Sequence, residues 1–336
     1  MIITRTPFRI SFFGGGTDIP EFYLKHGGQV LSTTIDKYLY ITCRHMPPFW
    51  EHKHRFVYGS KTELVSSLDE IDHPSIRETL RYLDVDYGID MHYNTDIPAR
   101  SGIGSSSSFT VGLVHSINGL SGKLKSKSEL MYDSIHIERE LIGEAVGSQD
   151  QAAAAYGGFN RILFRRDGKI EVRPVTLPAR RINELERHLF LVFTGFQRYA
   201  KDIEIEKIRR IEKNTQNLIE MKSYVDQALD ILNHNEDILQ FGELLNDTWK
   251  MKRGLSVAVS NSDIDEIYDL GLKNGAIGGK LLGAGGGGFM LFFVRPQEKK
   301  RFMQAMQKYV IVPFSFENSG SQVIYYMSGK EDTLQY

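Results

Sequence analysis

A chain of 336 residues, 41% hydrophobic and 25% charged, has apolar material enough for two folded domains of ordinary size. Its 41 basic and 42 acidic side chains leave a formal net charge of −1, which excludes nucleic-acid binding through a broad basic surface. An anionic ligand would have to be met by positive charge concentrated locally. The single cysteine, Cys43, excludes an internal disulfide, and no apolar run approaches the ~18 residues of a membrane span. The N-terminal segment MIITRTPFRISFF has no leader pattern, so a cytoplasmic protein without a membrane partner is expected.

In chain order, Ile2–Phe13 reads as a strand broken by Pro7 and running into Gly14-Gly15-Gly16. Residues 29–43 are rich in β-branched and aromatic types and read as extended, with Cys43 a buried hydrophobe in that run. Helices are predicted over 75–83, over 105–120, and from Ser126 to about Ile142, where Ser126 and Glu129 have capping-box spacing. Residues 162–164 and 170–175 form a predicted hairpin across Asp167-Gly168. Pro174 and Pro178, followed by a basic pair, place a domain boundary near 178. Leu189–Phe193 is an apolar strand. Ile211, Leu218, Val225 and Leu232 recur every seven residues and predict a long amphipathic helix, packed inside the second domain rather than against a partner.

Three glycine clusters compete for a phosphate-binding role. Ile97 through Ser108 holds Gly102 and Gly104 and then four serines before the helix at 105–120. A helix start offers unpaired N–H groups and the positive end of its dipole, which suits a phosphate; the alternative is a plain turn with a serine N-cap. Gly283, Gly285 and Gly288 fit a dinucleotide fingerprint by spacing, but an apolar strand follows where a helix is required, so no nicotinamide or flavin site is expected. Near the start, Arg9 could steady phosphoryl charge and Asp18 could accept from sugar hydroxyls; a solvated arginine and an Asx-turn or N-cap are the alternatives. Glu138 on the capped helix and Asp150 in Gly147-Ser148-Gln149-Asp150-Gln151 could divide metal ligation and base work, although Asp150 also suits an N-cap before the alanine run. His52 and His54 beside Phe49 and Trp50 lack a third ligand and read as a solvated loop.

Taken together, these segments resemble the GHMP kinases, the superfamily of galactokinase, homoserine kinase, mevalonate kinase and phosphomevalonate kinase. Pro98 through Ser107 resembles their P-x-x-x-G-L-G-S-S-A loop, with Ile103 for leucine and Ser107 for alanine. Residues 7–18 resemble the first motif and 280–289 the third. Within the superfamily, Gly14 through Tyr38, Gly147 through Gln151 and Gly278 through Gly288 resemble D-glycero-D-manno-heptose 7-phosphate 1-kinases.

The resemblance implies an α+β fold of two domains. Residues 1–178 would be like the second domain of ribosomal protein S5 and 179–336 ferredoxin-like, with the active cleft between them. It implies ATP and Mg²⁺ as cofactors and a sugar phosphate as small-molecule partner, with the protein a monomer or homodimer. Pro98, Ser101, Gly102, Ile103, Gly104, Ser105, Ser106 and Ser107 match the ATP loop. Ser106 and Glu138 match the metal ligands, and Asp150 and Arg9 the catalytic pair. Gly16, Thr17 and Asp18, with Gly285, Gly286 and Gly287, match substrate-binding positions. The reaction implied is phosphorylation of the anomeric hydroxyl of the heptose 7-phosphate, for nucleotide-activated heptose and surface glycans. Another anomeric sugar kinase, such as one for L-fucose, and a non-catalytic ATP and sugar sensor are the alternatives. Lys37, Arg44, Arg161, Arg198 and Lys53-His54-Arg55 are candidates to meet the sugar phosphate.

Overall fold

Strands β1 (Ile2–Phe13) and β2 (Gly28–His45) form a long antiparallel ribbon, and the candidate site lies at the Phe13 end of it. The computed structural model describes residues 1–99, 101–195, 205–206, 208–234, 237–256 and 258–327. Pro7 does not break β1. It faces Tyr38, and the register then jumps so that Phe8 faces Ile35, a bulge at which a residue without an N–H is tolerated.

Strand β2 is long enough to serve two neighbours. Its first half pairs with β6 (Phe159–Phe164), which makes the expected hairpin with β7 (Ile170–Pro174). Its second half pairs with β5 (Ile89–Thr95), and β3 (His54–Tyr58) and β4 (Lys61–Val65) follow outward. The helices on this sheet are α1 (Pro20–His26), α2 (Pro74–Tyr82), α3 (Ser105–Leu120), α4 (Lys127–His136) and α5 (Gln149–Tyr156). The Ser126–Glu129 capping box opens α4 as its spacing requires. What reads in sequence as one helix to about Ile142 changes geometry at Ile137–Leu141, a π-helical turn closed by the Ile142 N–H on the Ile137 carbonyl at 2.9 Å.

Beyond α6 (Ala179–His188) lies a second, four-stranded antiparallel sheet ordered β11-β8-β10-β9, with β8 at Leu189–Phe193, β9 at Ala276–Leu281, β10 at Phe289–Val294 and β11 at Val310–Val312. Every residue of β10 is buried, as its unbroken apolar run requires. The helix Thr215–Asn233 buries Leu218, Val225 and Leu232 against the chain's own core, and Ile211 precedes it. Phe241, on the helix Leu239–Leu255, sets its ring edge-on to Phe12 at 5.4 Å and Phe13 at 5.0 Å and so ties this half to the end of β1. The chain then returns to the first sheet: β12 (Phe316–Glu317) pairs with β2, and β13 (Gln322–Tyr326) lies outside β1. The fold is α+β, with two sheets.

Candidate active site

Five segments meet at the Phe13 end of the ribbon: β1 itself, the turn after it, the starts of α3 and α5, and the loop between β9 and β10. Gly104, at φ +76°, turns the chain into α3 in the left-handed conformation that glycine adopts at little cost. The first amides of α3 then have no intrahelical acceptor, which makes this end of the helix receptive to an anion. The third glycine loop lies backbone-to-backbone on the same segment. A Cβ on Gly283 would stand 2.6 Å from Gly102 Cα, and one on Gly288 would stand 2.2 Å from the Ser101 carbonyl oxygen, which accepts the Phe289 N–H. Lys280 donates to the Phe12 carbonyl, and Lys252 donates to the carbonyls of Leu281 and Gly283, so two buried ammonium groups fasten this loop from behind.

Arg9 and Asp150 form a two-pronged pair. Arg9 Nε donates to Asp150 Oδ1 and Nη2 to Oδ2, each at 2.8 Å, while Nη1 donates to the Gly102 carbonyl at 2.7 Å. One guanidinium therefore links the glycine loop to the carboxylate at the start of α5. The Asp150 side chain keeps 24% of its exposure against 5% for Arg9, so the carboxylate is the member open to the cleft. Asp150 sits in the first turn of α5 without capping it; Ser148 holds the N-cap position.

Asp18 lies buried behind this pair. Its Oδ1 accepts the Gly16 N–H at 2.9 Å and its Oδ2 the Gln149 N–H at 3.3 Å. Burial pushes its carboxyl above the usual range, and the Asp150 charge pushes it the same way. Thr17 spends its hydroxyl inside the turn, on the carbonyls of Gly14 and Gln29. Gly285 and Gly286 lean on Val259, whose carbonyl accepts the Gly286 N–H at 3.0 Å.

Glu138, on the π-helical turn, is fully buried. Desolvation pushes its carboxyl up to about 7, and Glu144 pushes the same way. Its Oε2 accepts from Ser107 Oγ at 2.8 Å and from the Gln151 amide, and the Thr110 hydroxyl also lies against the carboxylate, whereas among the described residues Oε1 has no hydrogen-bond partner of good geometry. Ser106 is exposed on the same helical turn, so the serine that reaches Glu138 is Ser107. A buried carboxylate oxygen without a donor suits a hard cation, and Mg²⁺ needs only one or two protein oxygens when nucleotide phosphates supply others. Among the described residues no cluster of three or more His, Cys, Asp or Glu could hold a metal.

Ile103 is buried in the core, Pro98 is exposed ahead of the loop, Ser105 and Ser107 are buried in the first turn of α3, and Gly287 is buried within the third loop. The candidates for a sugar phosphate fare differently. Lys37 pairs with Asp36, Arg161 with Asp226, and Arg44 and Arg55 both with Asp90. Arg44 lies ten residues along β2 from Thr34, the residue opposite Arg9, hence on the order of 30 Å from the site. Arg198 lies outside the described residues. His54 is buried in the sheet, with Phe56 stacked on its ring, and is not a solvated loop residue. Sequence reasoning passed over Gln149 and Gln151, the amides flanking Asp150, and Ser11, which donates to Gln149 Oε1 at 2.7 Å. Their place on either side of a candidate carboxylate was the available signal.

Residues 74–158 match the GHMP kinase N-terminal domain, and residues 228–312 match the GHMP kinase C-terminal domain. A D-glycero-alpha-D-manno-heptose 7-phosphate kinase from Campylobacter jejuni is 31% identical, covering 95% of this chain and 97% of that protein. The chain belongs to the GHMP kinases. A mevalonate kinase from Methanocaldococcus jannaschii is 27% identical over 70% of this chain and 71% of that one. Among solved structures, a D-glycero-D-manno-heptose 1-phosphate kinase from Bacteroides thetaiotaomicron superposes with a TM-score of 0.79 at 24% identity, covering 98% of this chain and all of that one. This GHMP kinase is accordingly an ATP-dependent sugar kinase. No helix among its described residues is long and apolar enough to cross a membrane.

Proposed function

We propose that this kinase transfers the γ-phosphoryl group of ATP to the anomeric hydroxyl of D-glycero-D-manno-heptose 7-phosphate. The products would be ADP and heptose 1,7-bisphosphate, an intermediate for nucleotide-activated heptose and surface glycans. The substrate reading is supported by the likeness, over nearly the whole chain, to a protein named for that substrate. The chemical reading rests on the Arg9–Asp150 pair, which stands at the mouth of the glycine loops with both carboxylate oxygens oriented.

In this reading the first turn of α3, from Gly104 to Ser107, takes the nucleotide phosphates on its backbone amides. Asp18 and the turn at Gly16 and Thr17 orient the sugar, with Gly285 to Gly287 forming the opposite wall. Asp150 accepts the anomeric proton through a lone pair not used by Arg9, as the sugar oxygen bonds to phosphorus and the bond to the ADP oxygen breaks. An anomeric hydroxyl is more acidic than an ordinary alcohol, so a carboxylate suffices as base. Arg9 holds that carboxylate in line, and its charge lies beside the phosphoryl group in transit. Mg²⁺, held by Glu138 with Ser106 at hand, would neutralise phosphate charge. The cytoplasm is the compartment such a sugar phosphate and ATP would share.

The test is ADP release in a coupled assay with MgATP and a panel of α- and β-heptose 7-phosphate, unphosphorylated heptose, mannose 6-phosphate, L-fucose and galactose. Turnover confined to a heptose 7-phosphate is expected. Turnover only on an unphosphorylated sugar would replace the substrate, and tight binding of sugar and ATP without turnover would replace the enzyme with a sensor.

A further inference from the structure

The fold treats the two oxygens of Glu138 unequally. Ser107 Oγ and Gln151 Nε2 both donate to Oε2, and among the described residues Oε1 is buried without a hydrogen-bond partner of good geometry, the Thr110 hydroxyl also lying against the carboxylate. The two donors approach from separate elements, each being the third residue of its helix, α3 and α5. Glu138 itself comes from the π-helical turn, so three segments converge on one carboxylate oxygen. The direction of the Gln151 amide is fixed by its neighbour, because the opposite orientation would set its carbonyl oxygen against the carboxylate. Two donors on one oxygen hold the carboxylate plane against rotation, so the other oxygen keeps a fixed direction.

We propose that Ser107 and Gln151 are positioning residues that commit Oε2 and thereby present Oε1 to the divalent cation of the nucleotide complex. The inference rests on the reading of Glu138 as a cation ligand. Neither side chain touches the cation or the substrate; each acts through the orientation of Glu138. Ser107 stands where the resembled loop has alanine, so this chain adds a donor at that position. The turn that offers amides to the phosphates then also aims the carboxylate that meets their counter-ion, which couples nucleotide binding to metal binding.

The experiment measures ADP affinity of the full chain by calorimetry, with Mg²⁺ and with EDTA, and takes the ratio as the metal coupling. Ser107→Ala and Gln151→Met are each expected to lower that ratio about tenfold, and Gln151→Met, outside the phosphate-binding turn, to leave the EDTA affinity unchanged. An unchanged ratio in both variants would overturn the proposal, and so would an equal loss in EDTA, since the residues would then be holding the phosphate loop itself. Glu138→Gln separates the two levels. If it abolishes the coupling and the other variants do not lower it, only the positioning role falls. If Glu138→Gln leaves the coupling intact, the cation-ligand reading falls with it.

Discussion

Two aspartates of this kinase sit in arginine clamps of nearly identical local geometry and have opposite prospects. Asp150 is gripped by one guanidinium at 2.8 Å on each oxygen, remains partly exposed and faces the glycine loops. Asp90, far along the first sheet, is 2% exposed and bound by two guanidiniums, Arg55 on both oxygens and Arg44 on one, with His92 Nε2 at 3.3 Å. Burial alone would raise the Asp90 carboxyl, but the two arginines outweigh it and hold it below the usual range. The contrast teaches that an Arg–Asp pair is not in itself a sign of catalysis. Asp90 has more cationic charge than it can neutralise and belongs to the scaffold. Among the described residues Asp150 has one guanidinium partner, and that partner is also tied to the glycine loop at Gly102.

The sharpest way to break this contrast is Asp150→Asn. Its kcat should fall by roughly 10³ or more while ADP affinity stays within about twofold, because the amide keeps the shape but cannot accept the proton. A kcat within tenfold of wild type would remove Asp150 from the chemistry. Next comes Gly104→Ala, which demands φ +76° of alanine and sets a methyl group 3.2 Å from Arg9 Cγ and 3.4 Å from Asp150 Oδ2. Displacing the pair should reduce kcat/KM by about 10²-fold. Asp90→Asn should act in the other direction: steady-state kcat unchanged, and stability in urea lower by roughly 1–3 kcal/mol, since the arginines are themselves partly in water. A loss of kcat without loss of stability would erase the distinction.

The smallest expected effect concerns His54, next to the Asp90 clamp. Its Nδ1 accepts the Ile89 N–H, which requires the neutral ring, and burial pushes its pKa down to about 4. The unfolded chain takes up this proton near pH 6.5, before the folded one does. The stability due to the neutral ring is therefore complete above pH 6.5 and declines as pH falls toward 4. His54→Gln should flatten that part of the urea midpoint against pH; an unaltered slope would mean that His54 is already charged in the folded protein.

Local signals in the sequence were sufficient for much of the fold. The Ser126–Glu129 cap, the hairpin across Asp167-Gly168 and the helix behind the four serines follow from spacings of a few residues, where chemistry and geometry are nearly the same question. Pro7 misled because a bulge in β2 depends on the partner strand, which no reading of β1 alone contains. The members of the site were legible as residue types, but not their pairings. Arg9 and Asp150 are 141 residues apart, and whether Ser106 or Ser107 reaches Glu138 turns on a rotation of ~100° about α3. That rotation is set by which face of α3 packs on β1 and β2. The three glycine clusters were visible, whereas the stacking of the third on the second is a tertiary fact. Arg44 and Arg55 were plausible anion ligands until strands β2, β3 and β5 brought them to the same acid.

The place of β13 has a consequence for how the protein is made. Ile2 pairs with Tyr326 and Arg5 with Gln322, so during synthesis this edge of β1 waits for a partner more than 300 residues further along the chain. At ~5–20 residues per second, that edge of β1 stays open for a time on the order of tens of seconds. An open strand edge is a template for pairing with other chains. The newborn kinase should therefore be most prone to self-association, and most dependent on chaperones, just before β13 emerges.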